Sequence, residues 1–159
     1  EIKKKVSFKS FLEIGFSAGI TNTTINKFFN FDNIVGIDLF KYIINSNVMN
    51  ANIVNKNLTL LCANTTSPET IKKAEMLGPY DLIFIDADHS YDGVKKDFNN
   101  YKSFLNNNGV IAFHDVANPD WPGVKKLFDE IIKSNKYEYK LFISEGFPIQ
   151  YGIGMIYLR

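Results

Sequence analysis

A doubly wound α/β domain around a mostly parallel seven-stranded sheet is the fold class this sequence predicts, on three observations. Apolar runs of strand length alternate with segments of helical period, the pattern of successive βαβ units. The first of these runs, ending at Ile14, passes directly into a glycine-bearing loop and then a helix. The last two runs are joined only by a short Gly- and Pro-containing stretch from Glu145 to Gly152, too short for a helical crossover, so they form an antiparallel hairpin.

In chain order, strands are expected at Ser10–Ile14, Ile34–Asp38, Leu58–Cys62, Leu82–Asp86, Val110–His114, Tyr139–Ser144 and Gly154–Leu158. Helices are expected near Thr21–Phe29, Lys41–Asn50, Ser67–Leu77, Tyr91–Leu105 and Pro122–Ser134. Asp92 and Asp97 are assigned to the start and the exposed face of the fourth helix. No internal repeat is visible, and 159 residues suit one core, so residues 1–159 are read as a single domain.

Composition excludes several classes. Hydrophobic residues at 45% and charged residues at 22% are ordinary for a globular chain, against disorder or a fibrous class. A formal net charge of +1 gives no electrostatic case for nucleic acid. The pairs Lys72-Lys73, Lys95-Lys96 and Lys125-Lys126 read as solvated helix faces. No apolar run approaches a bilayer span and the lysine-rich start lacks a secretory pattern, so no membrane partner and a cytoplasmic location are expected. Cys62, the single cysteine, excludes an intramolecular disulfide and a Cys-based zinc site. Self-association is left open.

Two local features point to a nucleoside cofactor. Gly15-Phe16-Ser17-Ala18-Gly19 follows a strand and opens a helix, so its backbone can approach a ligand closely and the helix start offers unpaired N–H groups. The second strand ends in Asp38, where a carboxylate can accept hydrogen bonds from both ribose hydroxyls. The third and fourth features are the strand ends Asp86-Ala87-Asp88-His89 and His114-Asp115, which should converge in one crevice at the carboxyl edge of the sheet. Oxygen-rich clusters there suit a hard divalent cation such as magnesium.

Glu13-Ile14-Gly15-Phe16-Ser17-Ala18-Gly19 and Val35-Gly36-Ile37-Asp38 resemble the first two motifs of class I S-adenosylmethionine-dependent methyltransferases, a Rossmann-like fold. The resemblance continues through Tyr80 to His89 and Gly109 to Val116, covering nearly the whole chain. It implies a cofactor set of Glu13, Gly15, Ser17, Gly19, Asp38, Ala63, Asn64 and Asp86. Within that set Gly15 and Ser17 line the methionine side, Asp38 holds the ribose, and Ala63 and Asn64 flank the adenine.

The strand-end cluster is similar to that of the metal-dependent O-methyltransferases, the group of the catechol and caffeoyl-coenzyme A enzymes. By that resemblance Asp86 and Asp115 bind Mg2+ or Mn2+, with His114 in a position where the family usually places a carboxylate. His89 stands where the same family usually carries a lysine base, and a histidine there is similar to the macrolide-sugar O-methyltransferases. The resemblance therefore implies His89 as general base and a hydroxyl of a small molecule or carbohydrate as acceptor. Asp88 is the neighbouring candidate to orient the imidazole, and Trp121 a candidate wall of the acceptor pocket.

Other readings of the same residues remain. A metal-independent methyltransferase, or a catalytically silent nucleoside-binding module, would keep the cofactor loop. A serine hydrolase using Ser17 fits the G-x-S-x-G spacing, but only sixteen residues precede Ser17, leaving no room for an oxyanion loop. A nicotinamide-dependent oxidoreductase lacks its usual G-x-G-x-x-G, since Ser17 and Ile20 stand at glycine positions. Related O-methyltransferases usually carry lid helices ahead of the first strand; here that strand starts almost at once and there is no initiator methionine, so those helices are expected to be absent or removed.

Overall fold

The computed structural model describes residues 7–40, 57–144 and 151–158. Within them lie strands β1 (Ser10–Ile14), β2 (Asn33–Asp38), β3 (Leu58–Cys62), β4 (Tyr80–Ile85), β5 (Leu105–Phe113), β6 (Tyr137–Ile143) and β7 (Gly152–Leu158). The helices are α1 (Ile20–Phe29), α2 (Pro68–Leu77), α3 (Tyr91–Tyr101) and α4 (Pro122–Lys133). The helix expected over Lys41–Asn50, and most of the Glu145–Gly152 link, lie outside the described residues. No helix among the described residues is long and apolar enough to cross a membrane.

The seven strands form one sheet in the order β3-β2-β1-β4-β5-β7-β6. Pairing is parallel from β3 through β5, while β7 runs antiparallel to both β5 and β6. The hairpin is therefore present, with β7 inserted beside β5 and β6 left at the edge. Strand order reverses between β1 and β4, and an open crevice forms at such a point beyond the strand carboxyl ends.

The central strands are buried on both faces because helices cover both sides of the sheet. Leu12, Ile14, Val35, Ile37, Ile83 and Ile85 pack on one face with Val94 and Phe98 of α3 and Val124, Leu127 and Phe128 of α4. Phe11, Ile34, Leu82, Phe84, Val110 and Ala112 pack on the other, against Ile25 and Phe29 of α1. Period-two alternation along each strand thus feeds two cores.

Most boundaries fall within two residues of expectation, and two differ by more. Helix α3 stops at Tyr101 and continues only as a 3-10 turn over Lys102–Phe104. Strand β5 starts earlier, at Leu105, which pairs with Tyr80 before the register jumps to Leu82 opposite Val110. The asparagines after Leu105 fill that irregularity, and Asn106 donates from Nδ2 to Asp81 Oδ1 at 2.7 Å. The other Asp81 oxygen accepts the Lys9 and Ser10 N–H groups at 2.7 and 3.0 Å, fastening the starts of β1, β4 and β5. Side-chain pairing, absent from a hydropathy pattern, sets this strand start. The lysine pairs are exposed on their helices, as expected.

Candidate active site

The glycine loop is shaped by two close approaches. Gly15 has φ 90 and lies so near the Asp86 carbonyl that a Cβ would collide with it. The Gly15 and Phe16 N–H groups both donate to Ile37 O, at 2.9 and 3.1 Å, drawing the loop across the end of β2. Phe16 is buried beneath the loop against Gly36, where any Cβ would meet its ring. Ser17 and Gly19 both take positive φ, 46 and 73, and Gly19 caps α1.

Asp38 fastens this loop from β2. Its Oδ2 accepts the Ser17 N–H at 2.8 Å and its Oδ1 the Phe40 N–H at 2.7 Å, leaving further lone pairs on each oxygen. Ala63 N–H donates to Asp38 O at 2.9 Å, bringing the end of β3 alongside. Asn64 is exposed and its Oδ1 accepts from the Thr66 N–H and hydroxyl, both at 2.9 Å. Glu13 is 1% exposed and interacts with Asn22 of α1. Burial, reinforced by Asp86 and Asp38, pushes its carboxyl well above the usual range despite that Asn22 contact. Glu13 is thus a buried carboxyl in β1, the strand that leads into the loop.

Across the β1/β4 switch point, β4 and β5 deliver the second group of residues. Asp86 N–H donates to Ile14 O at 2.8 Å and His114 N–H to Ile85 O at 3.1 Å, so both residues extend the sheet by one step beyond their strands. His89 Nε2 lies 3.2 Å from both Asp86 Oδ1 and Asp115 Oδ2. His114 Nδ1 lies 3.3 Å from the same two oxygens. Asp115, buried with φ 59, also has Asn118 Nδ2 donating to its other oxygen at 3.2 Å.

The electrostatics follow from this convergence. The close Asp86 carboxylate, aided by Asp115, raises both imidazoles above their ordinary range against the opposing effect of burial. Burial alone would raise Asp86, but the two imidazoles hold it below the usual carboxylate value. Both His89 Nε2 and His114 Nδ1 are buried atoms that make no hydrogen bond of good geometry, although carboxylate oxygens surround them. Two carboxylates facing two such nitrogens are the donor chemistry of a cation site, and Asp86, His89 and His114 can present ligand atoms within 4.8 Å of one another.

Three placements differ from the expectations, or were absent from them. Asp88 turns away from His89: its Oδ1 accepts the Ser90 N–H at 2.9 Å and its carboxyl packs over Gly93. Asp86 and Asp115 orient the imidazole instead. Asp97, expected on an exposed helix face, is 1% exposed, whereas Asp92 does stand exposed in the first turn of α3. The spacing Val94, Asp97, Phe98, Tyr101 is the signal for this, since it puts Asp97 on the apolar stripe of α3. Neither Asp97 oxygen gains a hydrogen bond of full geometry, the Thr65 side chain being the one offsetting neighbour; burial and nearby Asp88 push the carboxyl up to about 6. Tyr101, one turn on, donates to Thr65 O at 2.6 Å. Trp121 and Tyr151, both partly exposed, have ring centroids 5.0 Å from His89 and 6.4 Å from His114. Trp121 thus flanks the cluster on the side of His89. Both histidines sit with Asp86 and Asp115, not with Ser17, so the described contacts contain no hydrolase triad.

Comparison with known proteins agrees with this layout. Residues 12–116 match the family described as methyltransferase domain. The chain is 34% identical over 73 residues to the uncharacterized protein R132 of Acanthamoeba polyphaga mimivirus. That match takes in 43% of this chain, which spans about a third (33%) of the length of the viral protein. Among solved structures, the fold is similar to an O-methyltransferase from Bacillus cereus in complex with SAH, with TM-score 0.76 and 18% identity over 99% of this chain and 77% of that one. It is also similar to the O-methyltransferase TomG from Streptomyces achromogenes in complex with SAM, with TM-score 0.74 and 14% identity over 99% and 75%. The methyltransferase MycE of the mycinamycin pathway, in complex with Mg, SAH and mycinamycin VI, gives TM-score 0.69 and 14% identity over 94% and 44%.

Proposed function

Because the chain belongs to the methyltransferase-domain family, we propose that it transfers a methyl group from S-adenosylmethionine to a hydroxyl of a small molecule or carbohydrate, with a divalent cation assisting. The observation that carries this reading is the meeting, across one switch point, of the loop fastened to Asp38 and the Asp86–His89–His114–Asp115 cluster. The two halves stand so close that a Cβ at Gly15 would collide with the Asp86 carbonyl.

In this reading Gly15, Ser17 and Gly19 expose the loop backbone to the methionine part of the cofactor, and Asp38 accepts the ribose hydroxyls. Ala63 and Asn64 border the adenine, and Glu13, with Asn22 beside it, belongs to the cofactor set at the end of β1. Asp86, Asp115 and His114 would hold the cation, which when bound supplies a positive charge that acidifies the acceptor hydroxyl and fixes it in line. An alcohol is a poor nucleophile until its proton leaves, and His89 is the group assigned to take that proton. Trp121 would bound the acceptor on the side of His89.

Two measurements test the proposal. Calorimetry with S-adenosylhomocysteine should show binding at one site per chain. Methyl transfer from labelled S-adenosylmethionine to a panel of sugars, phenols and other hydroxyl compounds should stop in excess chelator and return with added cation. No cofactor binding would remove the methyltransferase reading. Full turnover in chelator would remove the cation and leave the aspartates as hydrogen-bonding groups, and binding without transfer to any acceptor class would favour a silent nucleoside-binding module.

A further inference from the structure

We propose that the open edge of β6 is an interface with a second copy of this chain, the two edges pairing antiparallel about a two-fold axis at Tyr139. Antiparallel ladders alternate between residues that exchange backbone hydrogen bonds and residues that aim theirs away. Ser144 N–H donates to Tyr151 O at 3.1 Å, in step with the register that sets Ile143 opposite Gly152 and Tyr137 opposite Leu158. By that alternation Phe142, Lys140 and Glu138 direct their N–H and C=O groups to β7. Ile143, Leu141, Tyr139 and Tyr137 aim theirs at the other side, where among the described residues no further strand pairs with β6.

Proteins that leave a sheet edge in water usually blunt it with a short strand, a proline, a bulge or repelling charge. Strand β6 runs unbroken beside β7 from Tyr137 to Ile143 and contains no proline. Tyr139, Leu141, Phe142 and Ile143 are between 43% and 53% exposed. The charges of the strand, Glu138 and Lys140, are exposed and of opposite sign, so they attract a copy of themselves in one register and repel it in others. In a two-fold pairing the outward-facing residues must meet one another, so the axis falls at a residue. At Lys140 it would oppose lysine to lysine, and at Glu138 glutamate to glutamate. At Leu141 it would set Lys140 against Phe142 and Glu138 against Ser144. At Tyr137 it would need the turn at Asn135, which has φ 56, to be extended. An axis at Tyr139 sets Glu138 of each copy against Lys140 of the other, in the step of the ladder where side chains stand closest. The same register opposes Tyr139 to Tyr139 and Leu141 to Tyr137, whose outward groups then form about six hydrogen bonds between the copies.

The test is sedimentation of the whole chain at rising concentration, up to about 100 μM, where even a weak interface is filled. The expected result is a dimer. Tyr139→Pro removes an N–H that β7 does not use, a change an edge strand tolerates, and should weaken the dimer at least about 100-fold. Glu138→Lys and Lys140→Glu should each weaken it at least about tenfold, because each sets like charges opposite one another on both sides of the axis. Mixing these two variants should restore a dimer, since every opposed pair then carries opposite charges. Far-ultraviolet dichroism checks that each variant folds, and if Tyr139→Pro does not, the charge variants carry the test alone. A chain that stays monomeric at the highest concentration would overturn the second copy as occupant and leave the edge to a different polypeptide. A dimer that survives a folded Tyr139→Pro would overturn this surface. Charge variants that associate like the parent, or a mixture that stays monomeric, would overturn the register.

Discussion

Replacing Asp97 by asparagine should stabilise the protein at neutral pH and leave it little changed in acid. Asp97 lies on the apolar stripe of α3, is 1% exposed, and has no hydrogen-bond partner of full geometry for either oxygen. Burial is the main cause that lifts its carboxyl from 3.8 to about 6, with Asp88 adding to it and the Thr65 side chain opposing it. Tyr101 also faces it from the next turn. A folded-state value above the unfolded one means that the native protein holds the proton more tightly. This contribution to stability is therefore complete below about pH 4 and is lost as pH rises through about 6. Raising a carboxyl from 3.8 to about 6 corresponds to about 3 kcal/mol over the full range, of which about 2–3 falls between pH 4 and 7.5. Asparagine has nearly the same shape and no charge, so the pH-dependent loss disappears, less about 1 kcal/mol or more for an amide lacking a full set of partners. The assay is thermal unfolding of both proteins from pH 4 to 7.5. The difference between variant and parent should move by about 5–10 °C in favour of asparagine across that interval. A difference that stays constant with pH would refute the reasoning, because it would mean that Asp97 titrates alike folded and unfolded.

Two further perturbations address the cofactor loop. Asp38→Ala removes the acceptor for Ser17 N–H together with the proposed ribose contacts, so S-adenosylhomocysteine affinity by calorimetry should fall at least about tenfold, and equal affinity would count against the site. Gly15→Ala places a methyl group against the Asp86 carbonyl at φ 90, which should cost at least about 1–3 kcal/mol and lower the urea midpoint; an unchanged midpoint would show that the loop and β4 are not packed this closely.

The sequence by itself determined the parts that rest on local rules. Strand-length apolar runs separated by helical periods specify a doubly wound sheet, because a strand buried on both faces must be apolar at every position, as in Phe11-Leu12 and Leu82-Ile83-Phe84-Ile85. Gly15 and Gly19 announce a backbone that turns through positive φ, and the turn is where they predict it, whereas the positive φ of Ser17 between them was not legible in its side chain. Asp38 at the end of β2 was legible for the same reason, since strand ends in such a sheet face one crevice.

Tertiary structure decided what depends on distance between segments far apart in the chain. The sequence brings Asp86 near His89 and His114 near Asp115, but only the parallel register of β4 with β5 puts both imidazoles within 3.3 Å of both carboxylates. Sequence adjacency misled for Asp88, because the helix start at Ser90 offers it a nearer hydrogen-bond donor than the imidazole. For Asp97, charge suggested exposure while helical phase dictated burial. Phase prevailed because a side chain's direction on a helix is fixed by 3.6-residue geometry, and α3 can bury Val94, Phe98 and Tyr101 only by carrying Asp97 in with them.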